Sequence, residues 1–190
     1  MENLISLFKQ YIDLSEEELE FLKNNLVTRS VSKNHVLLKE SEISTEFYFI
    51  DQGCIRLFYN SNEEEKTAYF YTENMFVSSY QSFTKQIPAT HNIAAIEDSK
   101  LIVFNLESVV KFTSYSPKFE FLARVIMEEE LATYQQIISS FITQNAEERY
   151  QNFVKENPKL IQRIPQHQIA TFLGVTSETL SRIRNRISKK

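Results

Sequence analysis

Ser177, Glu178, Ser181 and Arg182 stand at spacings of one, three and one, which on a helix places their side chains on one face. That set carries the chemistry for reading base edges. A guanidinium donates two bonds to the O6 and N7 of guanine, a carboxylate accepts from the amino group of cytosine, and a hydroxyl does either. The plainer alternative is a solvated helix with a Glu178–Arg182 surface pair at i, i+4, worth about 0.3–0.5 kcal/mol.

The elements that would hold this face are legible around it. From Ile164 to Ser188 two short helical patterns flank Gly174, one of only two glycines, placed where the backbone needs a conformation a side chain resists. Ile169, Ala170 and Leu173 give the first pattern its apolar side, and small Ala170 lets a second helix cross closely. Val175, Leu180, Ile183 and Ile187 complete a small core, Thr176 is placed to cap the second helix, and Glu178 sits in its first turn. The spacing predicts a helix-turn-helix, in which the N-terminal end of the second helix enters the DNA major groove. Arg184 and Arg186, further along, suit backbone phosphates, as does the hydroxyl of Thr176.

Charge is divided in the same sense. The chain carries −4 overall, but from Gln144 to Lys190 nine cations stand against four carboxylates, a net of +5, leaving −9 for residues 1–143. A basic module at one end is what phosphate neutralisation requires. Lys189 and Lys190 read as a solvated basic tail.

At 190 residues and 42% hydrophobic content the chain can build one substantial core and a second, smaller one. No apolar run reaches bilayer length, and the start Met1-Glu-Asn-Leu-Ile-Ser6 lacks a secretion signal, so no membrane partner and a cytoplasmic location are expected. A single cysteine, Cys54, forms no internal disulfide and cannot alone hold an iron–sulfur cluster. His35, His91 and His167 are dispersed, without a His-x-His or Glu-x-x-His pair. No metal site, cofactor or catalytic set is expected.

Ser15 with Glu18 three residues on predicts a capped helix carrying Leu19, Leu22 and Leu26, opening the chain. From about Thr28 to Asn105 short β-branched and aromatic runs follow, at 36–38, 47–50, 55–59, 67–71, 93–96 and 101–104, split by turns such as Asp51-Gln-Gly53. These predict an antiparallel sandwich or small barrel. Residues 117–143 contain almost no helix breakers. Phe119, Leu122, Ile126, Met127, Leu131, Tyr134, Ile138 and Phe141 form a stripe of threes and fours, predicting a long helix that packs partly on its own β-domain and otherwise makes a parallel homodimer seam.

N-terminal helix, β-roll, long helix and helix-turn-helix, in this order over nearly the whole chain, resemble the CRP/FNR transcription regulators, most closely the short Bacteroidetes members. The residues that carry the resemblance are Phe47-Tyr-Phe-Ile-Asp-Gln-Gly-Cys-Ile-Arg-Leu57, Ala146-Glu-Glu-Arg-Tyr150 and Pro165 through Ile187. Within the last, Glu178-Thr-Leu-Ser-Arg182 matches the family's base-reading pattern, and His167 matches a phosphate-contacting position. The resemblance implies an α+β chain with an antiparallel β-roll of jelly-roll type. It implies a sensory domain over residues 1–116, a dimerisation helix over 117–143 and a DNA-binding domain over 144–190.

The chain departs from that family where cyclic nucleotide would bind. Ser78-Ser79 stand in place of the family's Gly-Glu pair, and Ala89-Thr90 in place of Arg-Ser/Thr. No arginine lies between Arg56 and Arg124, so a buried cyclic phosphate would lack its counter-charge. Cyclic AMP is not expected as effector. Ser78, Ser79, Tyr80, Lys85 and Thr90 remain candidates for a pocket taking another small molecule, against the alternative of a filled core. Asn34 and Ser41 occupy turn positions where the family often has glycine, and a reduced or absent wing is expected after the second helix of the motif.

The expectation is a homodimeric regulator of double-stranded DNA, with RNA polymerase as a further partner. The competing reading is a β-roll sensor that signals through protein contacts and carries a degenerate DNA-binding domain.

Overall fold

The structure, a computed structural model, describes residues 1–62 and 64–187. The chain forms two compact units, one of residues 1–57 and 70–128, the other of residues 58–69 and 129–190.

In the first unit a helix absent from the sequence reading, α1 (Glu2–Phe8), precedes the expected one, α2 (Glu16–Asn25). Helix α2 starts as its sequence dictates: Ser15 Oγ accepts from the Glu18 N–H and the Glu18 carboxylate accepts from the Ser15 N–H. Among the described residues eight strands follow: β1 (Val27–Val31), β2 (Val36–Leu38), β3 (Glu46–Gln52), β4 (Ile55–Ser61), β5 (Glu64–Tyr71), β6 (Phe76–Val77), β7 (Asn92–Ala95) and β8 (Ser99–Asn105). They make two four-stranded sheets, ordered β1-β8-β3-β6 and β2-β7-β4-β5. The β1–β8, β3–β8, β3–β6 and β2–β7 pairs are antiparallel. The six runs expected as strands are strands; β1 and β6 were not expected. Two residues of β6 are too few to carry an alternation, and β1 buries only Val31.

Period-two alternation divides each strand between two environments. Phe49 pairs with Ile102 and Phe47 with Phe104 across β3 and β8, and the Phe47 and Phe104 rings stack at 5.0 Å. Against this face pack Leu4 and Phe8 of α1, Leu22 of α2, and, after the short α3 (Tyr80–Lys85), Phe112 of α4 (Leu106–Tyr115) with Phe119 and Leu122 from the start of α5 (Pro117–Thr143). Helix α4, also unanticipated, is capped at Asn105, which exchanges hydrogen bonds with Ser108. Its β-branched Val109, Val110 and Thr113 obscure a helical reading of the sequence.

Turns decide the strand connections. Gly53 has φ +112°, and a Cβ there would lie 2.8 Å from Ser99 Cα, so no side chain fits the β3–β4 turn. Asn34 and Ser41, standing where the family often has glycine, keep the left-handed backbone at φ 66° and 71°.

In the second unit α5 ends at Thr143, at the expected bounds, and α6 (Ala146–Glu156) starts behind an Asn145 cap. A 3-10 turn (Leu160–Gln162) leads to α7 (Gln166–Phe172) and α8 (Ser177–Ile187). Their core is Tyr150, Phe153, Leu160, Ile164, Ile169, Ala170, Leu173, Leu180 and Ile183, all buried. The β4–β5 hairpin segment joins this unit: Thr67 N–H donates to Thr171 Oγ1 at 3.3 Å, and the Tyr69 and Tyr134 rings meet edge to face. The expected reduction of a wing concerns residues after Ile187, and Lys189 and Lys190 likewise lie outside the described residues.

Candidate nucleic-acid interface

Helix α8 is set on α7 by a turn that needs glycine. Gly174 has φ +72°, its N–H donates to the Thr171 carbonyl, and the Val175 N–H donates to the Ala170 carbonyl. Thr176 Oγ1 then accepts from the Thr179 N–H at 3.2 Å and caps α8. With Leu180 and Ile183 turned into the core, the opposite face carries Ser177, Glu178, Ser181 and Arg182, all exposed. The four residues singled out by spacing are thus brought onto one solvent-facing surface. Asn185 shares it, one turn beyond Arg182. Sequence reading missed Asn185, although its i+3 position from Arg182 was available.

Electrostatics prepare Glu178 as an acceptor. Its own backbone N–H and then the Thr176 hydroxyl hold its carboxyl below the ordinary range, the Arg182 charge contributing least. A carboxylate so held accepts hydrogen bonds at neutral pH.

The four phosphate candidates fall in different settings. His167 is exposed at the second residue of α7. Thr176 spends its hydroxyl oxygen on the α8 cap. Arg184 is exposed beside a groove that Tyr150, Lys155, Gln166 and Ser181 also line. Arg186 instead pairs with Glu147 at 2.8 Å.

A second arginine joins the motif to the helix before it. Arg149, in the first turn of α6, donates from Nη1 to the Gln144 carbonyl at 2.6 Å and from Nη2 to the Leu173 carbonyl at 2.8 Å. Its guanidinium carbon sits 4.6 Å from the Phe141 ring centre. Neither partner carbonyl leaves a mark in a sequence, which is why Arg149 was passed over.

The five effector candidates differ in exposure. Ser79 is buried and Ser78 half-buried, whereas Tyr80, Lys85 and Thr90 are exposed. Polar groups around them bond internally: Ser82 Oγ donates to the Ile87 carbonyl and accepts from the Ser44 N–H, and Gln86 Nε2 donates to the Phe83 carbonyl. A polar cavity of about 200 Å³ lies elsewhere, between Arg29, Glu46 and Tyr48 of one sheet and Leu38 and Ile93 of the other. Arg29 forks onto Glu46 at 2.7 and 2.9 Å, and the Tyr48 hydroxyl donates to the same carboxylate. The Arg29 bonds hold Glu46 below the usual carboxylate range, and burial pushes the Tyr48 phenol up.

Among the described residues no group of three or more His, Cys, Asp or Glu is placed to hold a metal ion. Among them, too, no helix is long and apolar enough to cross a membrane.

Residues 28–115 match the cyclic nucleotide-binding domain family. Among solved structures, FixK2 from Bradyrhizobium japonicum is similar at a TM-score of 0.74 and 16% identity, over 86% of this chain and 85% of that one. A CooA variant from Carboxydothermus hydrogenoformans gives 0.69 and 19%, over 92% and 81%. The c-di-GMP-responsive global regulator CLP of Xanthomonas campestris gives 0.72 and 12%, over 92% of each chain. No curated protein sequence matches. The fold thus defines a cyclic-nucleotide-binding-type β-roll with a long helix and further helices behind it. These solved structures share that fold with this chain at under 25% identity.

Proposed function

We propose that this chain is a sequence-specific transcription regulator that binds a near-palindromic DNA site as a homodimer. The observation that carries the reading is the exposed face of α8, where Ser177, Glu178, Ser181 and Arg182 stand together at the end a helix-turn-helix presents to the major groove. Arg182 donates to a guanine, Glu178 accepts from a cytosine amino group, and Ser177 and Ser181 add contacts. His167, Thr176, Arg184 and Arg186 face phosphates, with Arg186 first having to leave Glu147. Residues 1–116 act as the sensory part, 117–143 as the dimerisation helix and 144–190 as the DNA-binding part. Such a regulator works in the cytoplasm, alongside RNA polymerase.

Pairing is supported by α5. Beyond Leu122 several of its apolar residues are uncovered, with Leu131 59%, Ile138 60% and Ile142 78% exposed. The effector is not cyclic AMP. The segment that would bind the phosphate has no arginine, and its Ser82 and Gln86 side chains bond within the protein.

Selection of bound fragments from a random DNA pool tests the reading. The expected result is a two-fold symmetric site with half-sites about one helical turn apart. Arg182→Ala is expected to cost about 1–3 kcal/mol and to relax selectivity at one position per half-site. Enrichment of no sequence would refute the function, and equal weakening on every sequence would make Arg182 a phosphate contact instead.

A further inference from the structure

We propose that Arg149 is a positioning residue that fixes the reading head to the end of α5 and so sets the half-site spacing the dimer accepts. The inference rests on the reading of α8 as a base-reading helix and of α5 as a dimer seam.

One guanidinium bridges three elements. Nη1 holds the carbonyl of Gln144, the first residue after α5, and Nη2 holds the carbonyl of Leu173, at the C-terminal end of α7. The ring of Phe141, in the last turn of α5, lies beneath it. Arg149 itself belongs to the first turn of α6, which makes α6 the third element. The planar fork of arginine supplies two divergent donors at a fixed angle and a flat face for the ring, a combination lysine lacks.

Its partners show what the group is for. Two neutral carbonyls and a ring hold Arg149, its Nε is buried without a protein acceptor, and no carboxylate among the described residues pairs with it. Charge neutralisation is not its task. A cation at the end of α7 also offsets the negative end of that helix. The turn itself closes on the same place: a Cβ on Gly174 would lie 3.4 Å from Phe141 Cε1 and 3.9 Å from Arg149 Nη2. The turn that sets α8 on α7 is therefore seated on the last turn of the helix proposed to carry the dimer axis. In a symmetric dimer an error of angle at this seat appears at both reading helices, so the distance between them depends on it.

The test compares wild type, Arg149→Ala and Arg149→Lys on duplexes carrying the selected half-sites with zero, one, two or three base pairs added between them, and on a single half-site. Wild type is expected to lose tenfold or more in affinity for one added base pair. Both variants are expected to keep single-half-site affinity within threefold and to show less than threefold spacing dependence. Arg149→Lys retains the charge and most of the stem, and answers alone if circular dichroism shows Arg149→Ala to be unfolded. A wild-type spacing profile in Arg149→Lys, or a uniform loss on all duplexes including the half-site, would overturn the assignment. Wild type that selects no DNA sequence would instead overturn the reading on which it rests.

Discussion

Ile138→Asp in α5 tests the proposed dimer directly. The Ile138 side chain is 60% exposed, so within its own chain it has little packing to lose. Full burial of an isoleucine contributes about 1.5–3 kcal/mol, and covering the exposed three-fifths contributes about 0.9–1.8 kcal/mol. A two-fold dimer holds two copies, which raises the loss to about 1.8–3.6 kcal/mol before the cost of burying a carboxylate is added. At about 1.4 kcal/mol per tenfold, the dimer dissociation constant rises at least 20- to 400-fold. Sedimentation equilibrium of wild type and variant measures it, with a thermal melt to show that the helix persists. A shift below about fivefold, or a wild type that is monomeric at micromolar concentration, would refute the reasoning.

Three further outcomes follow from the geometry. Arg184→Ala is expected to reduce the salt slope of binding by about two per dimer, since each phosphate contact releases about one counterion, while Arg186→Ala reduces it less because Arg186 is engaged with Glu147; equal slopes in filter binding would contradict this. The Glu18 carboxyl is held down to about 2 by Lys118, the Ser15 N–H and Ser116, so its contribution is present above the ordinary value of 4.5 and lost as pH falls through about 2. Glu18→Gln should therefore cost about 1.5–3 kcal/mol at neutral pH and flatten urea midpoints between those values, and an unchanged midpoint at pH 7 would count against it. Calorimetry with cyclic AMP is expected to show no binding, and a micromolar dissociation constant would overturn the effector reading.

Local signals were readable where the sequence states both partners of an interaction. Ser15 and Glu18 announce their own capping box, Gly174 its turn, and residues 117–143 a helix whose bounds hold. The exposed face of α8 follows from the same logic, because helical period alone turns Glu178 and Arg182 away from Leu180 and Ile183. Interactions that join distant backbone atoms were not readable. Arg149 meets carbonyls five residues before it and 24 after it, and a carbonyl has no side-chain identity to notice. The Arg29–Glu46 fork spans 17 residues and begins on β1, a strand too weakly patterned to be seen. Phe141 was legible as part of the α5 stripe, but its seat under Arg149 and against the turn depends on where α6 and α7 return.

The two halves of the chain match the pattern of the family they resemble to different degrees. In the reading head the residues matching the family's base-reading pattern are present, exposed and on one face, and the turn that orients them is intact. In the β-roll the strand frame is kept, even to left-handed backbone at Asn34 and Ser41, while the segment that would grip a phosphate has no cation to do so except exposed Lys85. Strand geometry of this kind without an arginine in that segment supports the proposal that cyclic AMP is not the effector. Ser82 of that segment is already bonded to Ser44 and Ile87, and an anion binding the segment would find no arginine there.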